Sequence, residues 1–254
     1  MLLVLDVGNT NTTMGVYDGQ KLVRHWRLTS KKQTVDEIGF TMHSLLDTFS
    51  IDRSQITGAV YASVVPPLDD IFIQGVENYI GVQCLRVSSR MVRGLKIAMK
   101  NPTGIGADRL ANAVAGIEKY GCPLIVVDLG TAITLDVISK DGAYLGGTIS
   151  PGMELGMGAL FEGTAKLPKV SLAAPQHYVG GNTIEALQSG IVYGTVGMVD
   201  TLIREINKEL GYDCRLVATG GHSHIFTKYS SLVSECDPWL TLDGLRIIYE
   251  RNAE

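Results

Sequence analysis

Two stretches of this chain share one pattern, about half a chain apart. VLDVGNTNTTMGVYDG, from Val4, aligns with VVDLGTAITLDVISKDG, from Val126, with a one-residue gap after the glycine. Each reads as an apolar strand, an Asp, an apolar residue, a Gly, a Thr, a second apolar strand and a closing Asp-Gly turn. Self-similarity at such a distance is the mark of a duplicated unit. The chain is therefore expected to fold around two similar hairpins that could face each other across a cleft.

The chemistry of the first hairpin is legible from its tip. A sharp turn at Gly8 lets backbone N–H groups approach an oxyanion closely, and the hydroxyls of Thr10, Thr12 and Thr13 can donate to phosphate oxygens. Asp6 would repel a phosphate but suits Mg²⁺, directly or through water, with the metal bridging the phosphates. Asp6 and Asn9 can also do no more than shape a turn. Two related copies are harder to explain by turn chemistry alone. No G-x-x-x-x-G-K-[ST] occurs, and GIGADR lacks the third glycine of a dinucleotide fingerprint.

Between these hairpins, short apolar runs alternate with segments of helical period, which defines an α/β chain. Strands are expected at 2–7, 13–17, 22–28, 57–64, 83–88, 123–128, 132–138, 143–149 and 215–219. Thr34 and Glu37 have capping-box spacing, and Ile38, Met42, Leu45 and Phe49 then form a stripe. Further helices are expected at 68–80, 107–120 and 182–210, and near 242–251. No low-complexity linker intervenes, so two closely joined domains are expected, 1–115 and 116–254.

Composition narrows the partners. At 254 residues, 45% hydrophobic and with a formal charge of −4, the chain has no general attraction for nucleic acid or anionic membrane. Asp6 interrupts the first apolar run early, so a signal peptide or membrane span is not expected and the protein is assigned to the cytoplasm. Cys84, Cys122, Cys214 and Cys236 are widely spaced and read as apolar fillers, and His222 and His224 as part of a polar loop rather than a metal pair.

The segment NPTGIGADR, 101–109, puts Asp108 beside Arg109 at an expected helix start. Asp108 can take a proton from a hydroxyl or bind metal, and Arg109 offers a fork for a carboxylate. A surface ion pair or a helix-start Asp would look the same.

The two hairpins resemble the phosphate motifs of the actin, sugar kinase and Hsp70 superfamily. With NPTGIGADR, GGTISPG at 146–152 and GGNTIEAL at 180–187, nearly the whole chain resembles the type III pantothenate kinase family, which also includes Bvg accessory factor proteins. The resemblance implies an actin-like ATPase fold of two ribonuclease-H-like domains, with mixed sheets flanked by helices. It implies transfer of a phosphoryl group from ATP, with Mg²⁺, to pantothenate. Asp6, Val7, Gly8, Asn9, Thr10, Asn11, Thr12 and Thr13 would receive the ATP phosphates with Thr131, and Gly220 and Gly221 in LVATGGH would take the adenosine. Asp108 would be the general base, with Gly106, Ala107, Asp108 and Arg109 holding pantothenate and Thr183 at a further substrate position. Asp128 would hold a monovalent cation, K⁺ or NH₄⁺.

The chain departs from the family pattern at Met99, where many members of the family it resembles carry an aromatic residue lining the pantothenate pocket. Gly190, Gly194 and Gly197 lie in an apolar helical stretch that permits close backbone approach, and the resemblance implies a homodimer with composite active sites. A non-catalytic regulatory or transcription accessory protein on the same fold is the alternative, and a phosphatase or polyphosphate hydrolase with the same hairpins is a third reading. An intact set of Asp6, Asp108, Arg109, Asp128 and Thr131 favours the kinase.

Overall fold

The computed structural model describes residues 1–253. In chain order the elements are β1 (Leu2–Val7), β2 (Asn11–Asp18), β3 (Lys21–Thr29), α1 (Val35–Thr48), β4 (Gly58–Ser63), α2 (Asp69–Tyr79), β5 (Cys84–Arg86), β6 (Lys96–Ile97) and α3 (Ala107–Tyr120). They continue with β7 (Leu124–Leu129), β8 (Ala132–Ile138), β9 (Ala143–Pro151), α4 (Met153–Gly163), α5 (Thr183–Leu210), β10 (Arg215–Thr219), α6 (Ser223–Tyr229) and α7 (Leu240–Ala253). The chain divides into two units. The first holds Met1–Leu95, Lys100–Ala115 and the C-terminal segment from Leu240; the second holds Lys96–Met99 and Gly116–Trp239.

Each unit is built on a five-stranded mixed sheet, ordered β3-β2-β1-β4-β5 in the first and β10-β7-β8-β9-β6 in the second. The duplication is visible in these orders. β1 pairs antiparallel with β2 and parallel with β4, and β7 pairs antiparallel with β8 and parallel with β10. Burial is identical along β1 and β7, which are buried at all but the aspartate, and β2 and β8 share a second pattern of their own. Even the register shifts correspond, at Val16/Tyr17 and at Val137/Ile138. The fifth strand breaks the correspondence: β5 extends the first sheet beyond β4, whereas β6 extends the second beyond β9.

In the first unit, Leu3, Leu5, Val7, Met14 and Val16 form one sheet face, packed with Ile38, Met42, Leu46 and Phe72 from α1 and α2. The capping box at Thr34 and Glu37 is formed. The buried stripe of α1 runs Ile38, Met42, Leu46 rather than through Leu45 to Phe49, which is exposed beside Trp26 and under Arg24. The opposite sheet face is covered by α7: Tyr17 donates to Asp243 at 2.7 Å, Leu242 lies against Gly15, and Gly58 leaves room for Tyr249. A plain division at 115 thus separates α7 from the unit on which it packs.

In the second unit, Ile125, Val127, Leu129, Ile133, Leu135 and Val137 pack against Val196, Val199 and Ile203 of α5 and Phe226 of α6. Gly116 lets the last turn of α3 approach Leu124 and Val126 on the other face. Cys214 is buried, Cys84 and Cys236 are half-buried, but Cys122 is exposed and so fills no core. His222 caps α6, so the stretch expected as a polar loop is a turn into a short helix. No helix among the described residues is long and apolar enough to cross a membrane.

Candidate active site

In the first unit, Asp6 stands one residue before the end of β1, opposite Thr13 on β2. The turn between them closes when Gly8 N–H donates to Asn11 O at 3.0 Å, and a Cβ on Gly8 would stand 3.0 Å from that same carbonyl. Asn9 and Thr10 are exposed at the tip, and Asn11 and Thr13 half-exposed. Thr12 departs from expectation. Strand alternation turns it to the core side with Met14, where its hydroxyl is fully buried and shares a hydrogen bond with Ser30 at 2.9 Å. Its hydroxyl ties the hairpin to the end of β3, and the tip presents those of Thr10 and Thr13 instead.

The start of α3 belongs to the same region. Val7 accepts a hydrogen bond from Val64 N at 3.1 Å, and Val64 in turn lies against Gly106. A Cβ on Gly106 would overlap the Asp108 carboxylate, which explains the glycine in GIGADR without any nucleotide fingerprint. Asp108 Oδ1 accepts from Arg109 N at 2.8 Å. Burial pushes its carboxyl above the usual range, against the hydrogen bond from the Arg109 backbone and the Arg109 charge, which lower it. A partly desolvated carboxylate beside a guanidinium can accept a proton next to an anchored anion.

In the second unit, Asp128 stands one residue before the end of β7, opposite Thr134 on β8. Gly130 N–H donates to Ala132 O at 3.1 Å, matching the first hairpin one residue shorter, and Thr131 is exposed in the turn. Two further glycines pack against this turn. Gly220, at φ +88°, sits where a Cβ would strike Asp128 Oδ1 and come within 2.7 Å of the Leu129 backbone. Gly152, the N-cap of α4, donates to Thr131 O at 2.9 Å, and a Cβ there would overlap the carbonyls of Gly130 and Thr131. Gly221 follows, exposed.

Thr183 opens α5 and is exposed. The preceding GGN serves as its cap: Asn182 Oδ1 accepts from Glu185 N at 3.0 Å, and the Glu185 carboxylate accepts from Gly181 N at 2.8 Å. Met99 packs on Gly146 of β9, with its Sδ 3.6 Å from where a Cβ would stand. The sequence reasoning missed Gly152 and Glu154, because α4 carries three glycines in eleven residues and reads as a loop. The PG pair before its first residue was the available signal.

Two sheets, each carrying an aspartate–glycine hairpin in the same register, define the fold of the actin-like ATPase and sugar kinase class. The family model described as type III pantothenate kinase matches residues 2–205. A protein named type III pantothenate kinase from Anaeromyxobacter sp. (strain Fw109-5) is 46% identical over 253 residues, covering 99% of this chain and all of that one. This chain belongs to the type III pantothenate kinase family, and it is an ATP-dependent kinase.

Solved structures agree on the fold. A protein described as a Baf family transcriptional activator from Campylobacter jejuni superposes with a TM-score of 0.59 at 23% identity, over 99% of this chain and 98% of that one. One described as an N-acetylmannosamine kinase from Listeria monocytogenes gives 0.54 at 11%, over 100% and 99%. At such identities the likeness is one of fold. The full-length relatives are kinases by name, which sets the accessory-protein alternative aside.

Proposed function

We propose that this protein transfers the γ-phosphoryl group of ATP to the primary hydroxyl of pantothenate, giving 4'-phosphopantothenate on the way to coenzyme A, in the cytoplasm. The observation that carries this reading is the desolvated Asp108 next to Arg109. Asp108 takes the proton of the attacking hydroxyl, and Arg109, with the backbone of Gly106 and Ala107, holds the carboxylate end of the substrate. Phosphoryl transfer itself needs positioning and charge neutralisation more than covalent help.

The hairpins supply those. The turn that Gly8 closes lets phosphate oxygens approach the hydroxyls of Thr10 and Thr13, with Asn9, Asn11 and the second-hairpin Thr131. The Gly220–Gly221 turn takes the adenosine. Among the described residues no three His, Cys, Asp or Glu side chains gather to hold an ion. A Mg²⁺ site of one carboxylate, Asp6, completed by phosphates suits that ion, which is commonly held by few protein ligands. Asp128 fits a monovalent cation, since the missing Cβ of Gly220 leaves its carboxylate approachable and one carboxylate with neutral oxygens makes a weak field.

A homodimer is supported by the exposed side of the second unit. Gly190, Gly194 and Gly197 face open space on α5, and Thr183 falls on the same helical stripe. Leu155, Phe161, Tyr178, Val179 and Ile184 are exposed nearby in sequence, apolar side chains that a subunit interface would cover. In this reading Thr183 of one subunit reaches the pantothenate of the other.

The test is release of ADP by the purified protein with MgATP, with and without pantothenate. Release that depends on pantothenate is expected. Equal release without it would indicate a hydrolase, and binding of ATP with no release a non-catalytic protein.

A further inference from the structure

Register carries the row of the first hairpin one strand further than the hairpin itself. Asp6 on β1 stands opposite Thr13 on β2, and Thr13 stands opposite Arg27 on β3. Residues directly opposite in a sheet point to one face, with Cβ atoms about 4.5–5.5 Å apart, well within the length of an arginine side chain. α7 covers this face at Gly15 and Tyr17. Towards the tip, Asp6 and Thr13 are half-exposed and Arg27 is exposed. Among the described residues no hydrogen bond, ion pair or ring contact engages the Arg27 guanidinium. Arg24, by contrast, lies on the other face, 4.7 Å over the Phe49 ring. β3 is also held to the tip: Ser30 N donates to Thr10 O at 3.0 Å, and the Ser30 hydroxyl shares its hydrogen bond with Thr12.

An arginine on an edge strand can do no more than discourage pairing between edges. The duplication argues for more. In the second sheet the same row runs Asp128, Thr134, Ile149, and β6 pairs only with Ala143 and Tyr144, so Ile149 also stands on an edge, 66% exposed. The fold therefore accepts an apolar residue at this place, and the cation is particular to the first hairpin. Residues 1–20 contain no Lys or Arg, so the tip's own donors are neutral, while MgATP keeps a net negative charge. A guanidinium presents a planar fork of donors that matches phosphate oxygens. We propose that Arg27 binds a phosphate oxygen of ATP beside the Thr13 hydroxyl, on the side of the row away from Asp6 and its Mg²⁺. This rests on the reading of the first hairpin as a phosphate site and adds the positive charge that the hairpin lacks.

The test follows Arg27→Ala and Arg27→Lys with three probes: ATP as substrate, adenosine as an inhibitor competing with it, and Mg²⁺-tripolyphosphate, whose binding is measured by calorimetry. Loss of hydrogen bonds from a charged donor weakens binding about 10- to 100-fold. In Arg27→Ala, kcat/KM for ATP should fall and the tripolyphosphate Kd should rise by that factor, while the adenosine inhibition constant, the KM for pantothenate and the melting temperature stay near wild type. Arg27→Lys, which keeps the charge without the fork, should recover part of both. A wild-type kcat/KM for ATP in Arg27→Ala overturns the proposal. So does a loss confined to pantothenate, which would mean a contact with the substrate carboxylate, or an equal loss for adenosine, which would mean a distorted hairpin. Tripolyphosphate separates the two levels of failure. If the wild type does not bind it, the phosphate hairpin and the role of Arg27 fall together; if wild type and Arg27→Ala bind it equally, the role of Arg27 falls alone.

Discussion

Burial of Asp108 governs both its chemistry and its contribution to stability. Its carboxyl is raised in the folded state, chiefly by desolvation, so the folded protein disfavours the ionised form. The sign follows from linkage: a carboxyl raised on folding makes stability fall as pH rises from its unfolded value through the folded one. Asp108→Asn keeps an oxygen to accept from Arg109 N and removes that dependence. Its melting temperature at neutral pH should equal or exceed that of the wild type, while kcat falls about 10²- to 10⁴-fold. A mere helix-start role predicts a near-silent change instead, because Asn and Asp serve alike at such positions. Thermal melts at several pH values, with kcat for both proteins, decide the matter. At Asp128 the expectation concerns ions: turnover should be high in K⁺ or NH₄⁺ and low in a bulky organic cation, and equal rates in all three would remove the monovalent site. Residues of this kind were legible because Asp and Gly at fixed offsets report local turn chemistry. The hydroxyl partner of Thr12 was not, since Ser30 lies just past the end of the neighbouring strand β3, 18 residues on.

At the scale of elements, two glycines of α4 make opposite forecasts. Gly152 lies where a Cβ would overlap the carbonyls of the Gly130–Thr131 turn, whereas nothing stands within 4 Å of a Cβ at Gly158. Gly152→Ala should destabilise the protein by about 1–3 kcal/mol, as overpacking does, and should raise the KM for ATP by displacing Thr131. Gly158→Ala should stabilise it by about 0.4–1 kcal/mol through a less flexible unfolded chain. Chemical denaturation of both variants checks the pair. The same helix shows why elements can be hidden. Its glycines depress local helical preference, and burial of Met153 and Met157 supplies what propensity does not. α6 has only seven residues and β6 only two, too short for any period to register. The long α5, by contrast, announces itself through a cap, a buried stripe at helical spacing and Gly211 in the left-handed conformation at φ 73°.

For the whole molecule, the assembly prediction is open to a mixing experiment. If Thr183 of one subunit serves the partner's pantothenate, Asp108→Asn and Thr183→Val subunits, each impaired alone, should regain part of the wild-type rate when exchanged. No recovery despite demonstrated exchange would place each site within one chain. The sequence by itself determined the duplication, the positions of every strand but β6, both hairpin aspartates and the Asp108–Arg109 pair. All of these are written in periods and offsets spanning a few residues, where alternation, turn chemistry and glycine freedom act. Tertiary structure alone decided that α7 returns to the first unit, that Thr12 pairs with Ser30, and that His222 meets Glu154. Such outcomes rest on contacts like Tyr17 with Asp243 and Gly58 with Tyr249, between residues far apart in the chain. Which distant surfaces meet is set by how much apolar area they bury together, a property of pairs of surfaces that no local pattern carries.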